Sequence, residues 1–281
     1  MVITRIINNN YVAAIDDDGN EAVINGRGIG FGRSKGEYLS DQGIERIYRI
    51  SNSKVIAEIG QLFASISEDC FRVCGEIIDY AKKQLKKDIN PTLYVTLTDH
   101  IDYAVSRVKQ GIKITNPMND SIKLYYPQEF AIGEYAVAYV ARKLGVDLGE
   151  ADAGFIAFHF VTALTNQQME NTVKVTQLTD VVLDMIKQRF DLDIEDGSIN
   201  AQRLISHVQF IANNVVSQVR SASKSESFSS AIRTALPEEI SCSEMIAGRI
   251  RADFGYELDE DELTYLAVNI ARIRKRKDTV S

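Results

Sequence analysis

Leu144 to Phe160 reads LGVDLGEADAGFIAFHF, and Phe254 to Ile270 reads FGYELDEDELTYLAVNI. The two stretches align without a gap. Gly145/Gly255, Leu148/Leu258, Glu150/Glu260 and Ala157/Ala267 are identical, and most remaining pairs are conservative. Each begins with a glycine turn, continues into acidic residues suited to a helix amino terminus, and ends in apolar residues at helical spacing. A second pair of blocks lies upstream of these. Leu97–Ala104 reads LTDHIDYA and Leu204–Ile211 reads LISHVQFI. His100 to His207 spans 107 positions and His159 to Asn269 spans 110, so both blocks recur in one order with a three-residue change of length. The pattern predicts two homologous all-α helical-bundle domains, over residues 53–170 and 171–281.

Helical spacing of apolar residues runs from Ile56 to Leu85, Leu93 to Val108, Phe130 to Leu144 and Ala151 to Leu164. It resumes from Val173 to Phe190, Ile199 to Val219, Met245 to Phe254 and Leu263 to Ile273. Thr115–Asn119, with Pro117 inside it, breaks the first series. Residues 1–52 differ in kind. Val2–Ile7 is rich in β-branched residues, and Tyr11–Ile15 and Glu21–Ile24 flank the turn Asp17-Asp18-Gly19-Asn20. Seven of the 17 glycines fall in this segment, most of them between Gly26 and Gly36. A small antiparallel β-sheet with one glycine-rich loop is expected. So small a sheet barely buries enough apolar area to stand alone, and pairing with a second copy would supply the deficit.

At 281 residues, 45% hydrophobic and 25% charged, the chain has globular composition. No apolar run approaches the roughly 20 residues a membrane span needs, and the amino terminus has no signal-peptide pattern. Cys70, Cys74 and Cys242 form neither an even disulfide set nor a CxxC pair, which fits buried thiols in a reduced cytoplasm. The net charge of −7 excludes a generally basic nucleic-acid binder. Met1–Lys54 carries seven basic and seven acidic residues, so any nucleic acid bound there must be read by local geometry.

The three histidines, His100, His159 and His207, all lie in the duplicated frame; Asn269 takes the fourth place. Asp99 precedes His100 and could orient its ring, whereas Ser206 precedes His207. No further ligands at metal spacing, no HExxH run and no nucleophile signature accompany these residues. Neither metal nor cofactor is expected. Repetition leaves two readings open: hydrogen-bonded core histidines, or imidazoles that themselves accept a phosphoryl group and so rewrite the packing around them. Gly26-Arg27-Gly28-Ile29-Gly30-Phe31-Gly32-Arg33-Ser34 is not a Walker loop, because arginine stands where that loop needs its first glycine and its lysine. GxGxxG is absent too. Glycines for close approach, Arg27 for phosphate or base edges and Phe31 for stacking suit an irregular RNA helix, and Asn8-Asn9-Asn10 adds amides for base edges.

Arg5-Ile6-Ile7-Asn8-Asn9-Asn10, followed by Gly26–Phe31, resembles the co-antiterminator RNA-binding domain of BglG/SacY/LicT-type transcriptional antiterminators. The duplicated helical domains, with Thr98-Asp99-His100 and the His159 block, resemble the two PTS-regulation domains of that family. The resemblance spans essentially the whole chain. It implies a four-stranded head that dimerises and holds an antiterminator RNA hairpin in its read-through form, so that sugar-utilisation genes, of the β-glucoside or sucrose class, are transcribed. It assigns RNA contacts to Arg5, Asn10, Gly26, Arg27, Gly28 and Phe31, and phosphorylation to His100, His159 and His207. The implied partners are a sugar-specific permease of the phosphotransferase system, inactivating through the first domain, and the histidine phosphocarrier protein, activating through the second. No catalytic residue is implied. Asn269 departs from the family's fourth histidine and cannot carry phosphate. The rival readings are a helical His/Asp metal-dependent phosphohydrolase and a DNA-binding activator. The first is disfavoured by the Asp99-His100 order, the second by a head without a helix-turn-helix.

Overall fold

The computed structural model describes residues 1–50, 52–63, 66–194, 197–220 and 226–280, with the backbone alone described at 226–228 and 275–280. Four strands, β1 (Val2–Ile6), β2 (Tyr11–Ile15), β3 (Glu21–Asn25) and β4 (Arg46–Arg49), form an antiparallel meander in the order β1-β2-β3-β4. A bulge between Ile3 and Arg5 shifts the β1–β2 register. At the expected turn Gly19 takes φ +83°, and Asp16 Oδ1 accepts from the amides of Asp18 and Asn20.

Alternation sends the strand side chains to two faces, and both are buried. One face carries Ile3, Val12, Ala14, Ala22 and Ile24, covered by Ile29 and Leu39 from the long β3–β4 connection. The other carries Tyr11, Ala13, Val23 and Tyr48. Burial on both sides explains why YVAAI reads as a continuous apolar run.

The second face packs on helices of the same chain. These are α1 (Ser53–Leu62), α2 (Glu68–Leu85) and α3 (Leu93–Lys109). Phe71 of α2 meets Tyr11 edge-on at 5.8 Å and Tyr48 at 5.1 Å, while Tyr94 of α3 meets Tyr48 edge-on at 5.9 Å. Gly75 makes this approach possible, since a Cβ there would lie 2.4 Å from Tyr48 Cε1. The area that the small sheet could not bury alone is therefore buried by its own helices. The stretch expected as one helical run from Ile56 to Leu85 is two helices, because Ser67 caps α2 by accepting from the Cys70 amide at 3.2 Å.

The remaining helices are α4 (Asn119–Tyr125), α5 (Pro127–Leu144), α6 (Glu150–Thr165), α7 (Met169–Phe190), α8 (Ile199–Ser217), α9 (Glu226–Ala235), α10 (Pro237–Phe254) and α11 (Glu260–Val280). The repeat is visible in their ends. Pro127 and Pro237 open α5 and α10, and Gly145 and Gly255 close them in the left-handed region at φ +70° and +64°. Asp259 and Glu262 form a reciprocal cap at α11: the Glu262 amide donates to Asp259 Oδ1 at 2.8 Å, and the Asp259 amide to Glu262 Oε2 at 3.0 Å. All three cysteines are free and buried.

Two compact units result. Residues Met1–Asn119 and Tyr126–Asn166 form the first, so the sheet and the first helical repeat share one apolar core. Asp120–Tyr125 and Gln167–Ser281 form the second, centred on α7, α8, α10 and α11.

Candidate functional site

At one end of the sheet the β1–β2 turn and the glycine loop are stitched together by Asn10 and its neighbours. Asn8 Oδ1 accepts from the amides of Asn10 at 2.8 Å and Tyr11 at 2.9 Å, which fixes the turn. Asn10 Oδ1 accepts from the Gly28 amide at 2.8 Å, its carbonyl accepts from the Gly26 amide at 3.0 Å, and the Asn9 carbonyl accepts from Gly30 at 2.9 Å. Glycine is required at 26 and 30, where a Cβ would stand 2.0 Å from Gly43 O and 2.3 Å from Asn8 O. The loop carries Phe31 into solvent at 74% exposure, with Arg27 and Gly28 also exposed. Asn10, Gly26, Arg27, Gly28 and Phe31 thus come together. Arg5 is placed apart from them, on β1, with its guanidinium beside Gly60 of α1.

One acidic neighbour was not foreseen. Glu68, at the start of α2, accepts from Asn10 Nδ2 at 3.0 and 3.3 Å, and a cleft of about 280 Å³ is lined by Asn10, Asn25, Arg27, Glu45, Glu68 and Arg72. Nearby, Arg46 of β4 pairs with Asp79 and, at 3.5 Å, with Glu76. The loop end of the sheet is therefore faced by carboxylates in this structure.

In the first repeat His100 on α3 and His159 on α6 lie ring to ring, with centroids 5.0 Å apart. Asp152 and His159 are two turns apart on α6, as are His100 and Arg107 on α3, so four polar groups meet between two helices. Asp152 is fully buried and Arg107 only 4% exposed. Arg107 Nη2 donates to Asp152 Oδ2 at 2.6 Å and Nη1 to Oδ1 at 3.4 Å. Asp152 Oδ1 lies 3.5 Å from His100 Nε2, which is sealed from solvent and makes no hydrogen bond among the described residues. Burial alone would raise the Asp152 pKa, but the nearby His100 ring, the Arg107 hydrogen bonds and the guanidinium charge outweigh it and hold the carboxyl below its usual range. Burial, and the His100 ring beside it, push His159 down to about 3, so this imidazole is neutral at ordinary pH. Asp99, expected to orient His100, makes no ion pair or hydrogen bond with it among the described residues; the carboxylate facing its Nε2 is that of Asp152.

In the second repeat His207 on α8 lies between Phe210, stacked at 6.5 Å, and Tyr265 of α11, edge-on at 6.3 Å. Burial lowers its pKa, and Nδ1 is sealed without a partner. Asn269 Nδ2 donates to the Tyr265 carbonyl of its own helix at 2.9 Å. No cluster of three or more metal-type ligands exists among the described residues, and no described helix is long and apolar enough to cross a membrane.

A β-sheet head with a glycine-rich, aromatic-tipped loop, followed by duplicated histidine-bearing bundles, defines an RNA-binding regulator. The comparisons agree. The CAT RNA binding domain profile matches residues 1–56, and the PRD domain profile matches 75–163 and 180–273. The chain is 33% identical over 276 residues to the transcription antiterminator LicT of Bacillus subtilis, covering 98% of this chain and 100% of that protein. It is 32% identical to the β-glucoside operon antiterminator of Dickeya chrysanthemi, over 98% of this chain and 97% of that one. The crystal structure of GlcT CAT-PRDI superposes with a TM-score of 0.52 at 28% identity, covering 59% of this chain and 98% of that one. The chain belongs to the BglG/LicT-type transcriptional antiterminators, a family of RNA-binding regulators and not of enzymes.

Proposed function

We propose that this antiterminator binds an RNA hairpin in nascent message through Asn10, Gly26, Arg27, Gly28 and Phe31, with Arg5 contacting the flank, and so prevents termination. The observation that carries the reading is the stitched loop, in which exposed Arg27 and Phe31 flank Gly28, whose backbone stands open to a ligand. An exposed aromatic beside a guanidinium offers stacking and phosphate contact, the two things an irregular RNA helix supplies. The working form is a cytoplasmic homodimer, with domains at 1–52, 53–170 and 171–281. The names of two relatives, LicT and the β-glucoside operon antiterminator, favour a β-glucoside operon as the target.

Control runs through the histidines. His100 and His159 accept phosphate from a sugar permease, which switches the protein off, and His207 accepts it from the histidine phosphocarrier protein, which switches it on. The neutral rings of His159 and His207 support this, because a neutral imidazole is the nucleophilic form. The test is a gel shift with an antiterminator hairpin and with duplex DNA. The hairpin should bind and the duplex should not. Arg27→Ala with Phe31→Ala should cost about 2–4 kcal/mol of binding, one stacking and one charge-assisted contact. Undiminished RNA binding by the double variant would refute the site.

A further inference from the structure

Corresponding positions in the two repeats hold different chemistry around their first histidines. Asp152 corresponds to Glu262, and Arg107, seven residues after His100, corresponds to Asn214, seven residues after His207. In the first repeat a buried guanidinium donates to both oxygens of a buried carboxylate, at 2.6 Å to Oδ2 and 3.4 Å to Oδ1, and Oδ1 also faces His100 Nε2 at 3.5 Å. A carboxylate only accepts, so it favours the neutral tautomer in which the ring nitrogen facing it carries the proton and the lone pair falls on Nδ1. Nε2 is also the sealed nitrogen of His100.

In the second repeat the carboxylate is turned to other donors. Glu262 Oε1 accepts from Asn214 Nδ2 at 3.3 Å and from the Tyr256 hydroxyl at 3.4 Å, and its Oε2 accepts from the Asp259 amide. None of these contacts reaches His207. Here the sealed nitrogen is Nδ1, which leaves Nε2 as the nitrogen open to a donor.

We propose that Asp152, held by Arg107, is a positioning residue that makes His100 accept phosphate on Nδ1, whereas His207, with no such carboxylate beside it among the described residues, accepts it on Nε2. This deepens the reading of these histidines as phosphoryl acceptors and rests on it. The donor is a protein phosphohistidine. The lone pair of Nδ1 forms a bond to phosphorus as the donor's phosphorus–nitrogen bond breaks, and that electron pair returns to the donor ring. His100 keeps its Nε2 proton, so the positive charge lost by the donor imidazolium appears on the His100 ring, facing the Asp152 carboxylate. No proton is gained or lost overall. Arg107 prevents the carboxylate from rotating away.

Two measurements on the full-length chain test this. Long-range proton–nitrogen correlation on ¹⁵N-labelled protein reads the resting tautomer without any phosphoryl donor. His100 should be protonated on Nε2, and this preference should be lost in Asp152→Asn combined with Arg107→Gln. The paired change leaves no lone buried charge, so the fold survives where either single change could destroy it. A resting Nδ1 proton on His100 would overturn the proposal. The second measurement phosphorylates the chain with phosphocarrier protein together with the sugar permease and identifies the isomer at each site by phosphorus–nitrogen coupling. Nδ1-phosphohistidine is expected at position 100 and Nε2-phosphohistidine at position 207, and one isomer at both overturns the proposal. Label at His100 on the wrong nitrogen sinks this inference alone, whereas no label on any histidine sinks the functional reading beneath it.

Discussion

The two helical repeats share the Pro and Gly ends of α5 and α10, their helix order and the frame of their histidines, but not the polar contents of that frame. The first encloses the ion pair Arg107–Asp152, with His100 and His159 beside it. The second encloses a mostly neutral network in which Glu262 is satisfied by an amide, a hydroxyl and a backbone N–H, while Asn269 bonds its own helix. Duplication preserved the scaffold, and the chemistry diverged within it. The consequence is asymmetric: adding or removing a charge in the first repeat disturbs an existing ion pair, whereas in the second it meets a carboxylate held by neutral donors.

The largest expected effect breaks that ion pair. Arg107→Met strands the Asp152 charge and should destabilise the first unit by about 3–5 kcal/mol, whereas Asn214→Leu, which removes one of several donors to Glu262, should cost about 1–2 kcal/mol. Urea unfolding followed by probes in each unit measures both, and equal losses would erase the distinction.

The next effect concerns pH. His159 is held neutral in the fold with its pKa lowered from 6.5 to about 3, so between those values the unfolded chain binds a proton that the folded chain refuses. Its contribution is fully present above pH 6.5 and is lost as pH falls, with a slope of at most about 1.4 kcal/mol per pH unit. Asp152, lowered below 3.8, adds to the loss at still lower pH. His159→Asn, which copies position 269 into the first repeat, should flatten the stability curve between pH 6.5 and 5. An unchanged curve would show that His159 is not the buried neutral group described.

The smallest effect is at the missing histidine. Asn269→His gives up one hydrogen bond to its own helix, worth about 1 kcal/mol. It should scarcely move the melting temperature while adding a fourth phosphorylatable position, seen as an additional labelled peptide after treatment with phosphocarrier protein.

Much of this was legible in the sequence. The repeat, the helix-starting acidic residues and the turn at Gly19 follow from local chemistry and appear where that chemistry puts them. Contacts between distant residues were not legible. Asp99 drew attention because it adjoins His100, yet neighbours on a helix project about 100° apart, and the carboxylate that faces the ring comes from Asp152, on another helix. The signal was present in a subtler form: Asp152 and Glu262 share a repeat position, as do Arg107 and Asn214. Likewise, nothing local announced that Glu68 would take the amide of Asn10, 58 residues away. Ser67 ended what periodicity alone read as one helix, because a cap outweighs apolar spacing that continues across it.

The central claim is that the two repeats control RNA binding in opposite senses. Its most direct test is hairpin affinity measured on full-length chains phosphorylated in one repeat at a time, using His207→Ala for the first and His100→Ala with His159→Ala for the second. Phosphate confined to the first repeat should weaken RNA binding, and phosphate confined to His207 should strengthen it. Affinity that moves in the same direction in both, or not at all, would contradict the account.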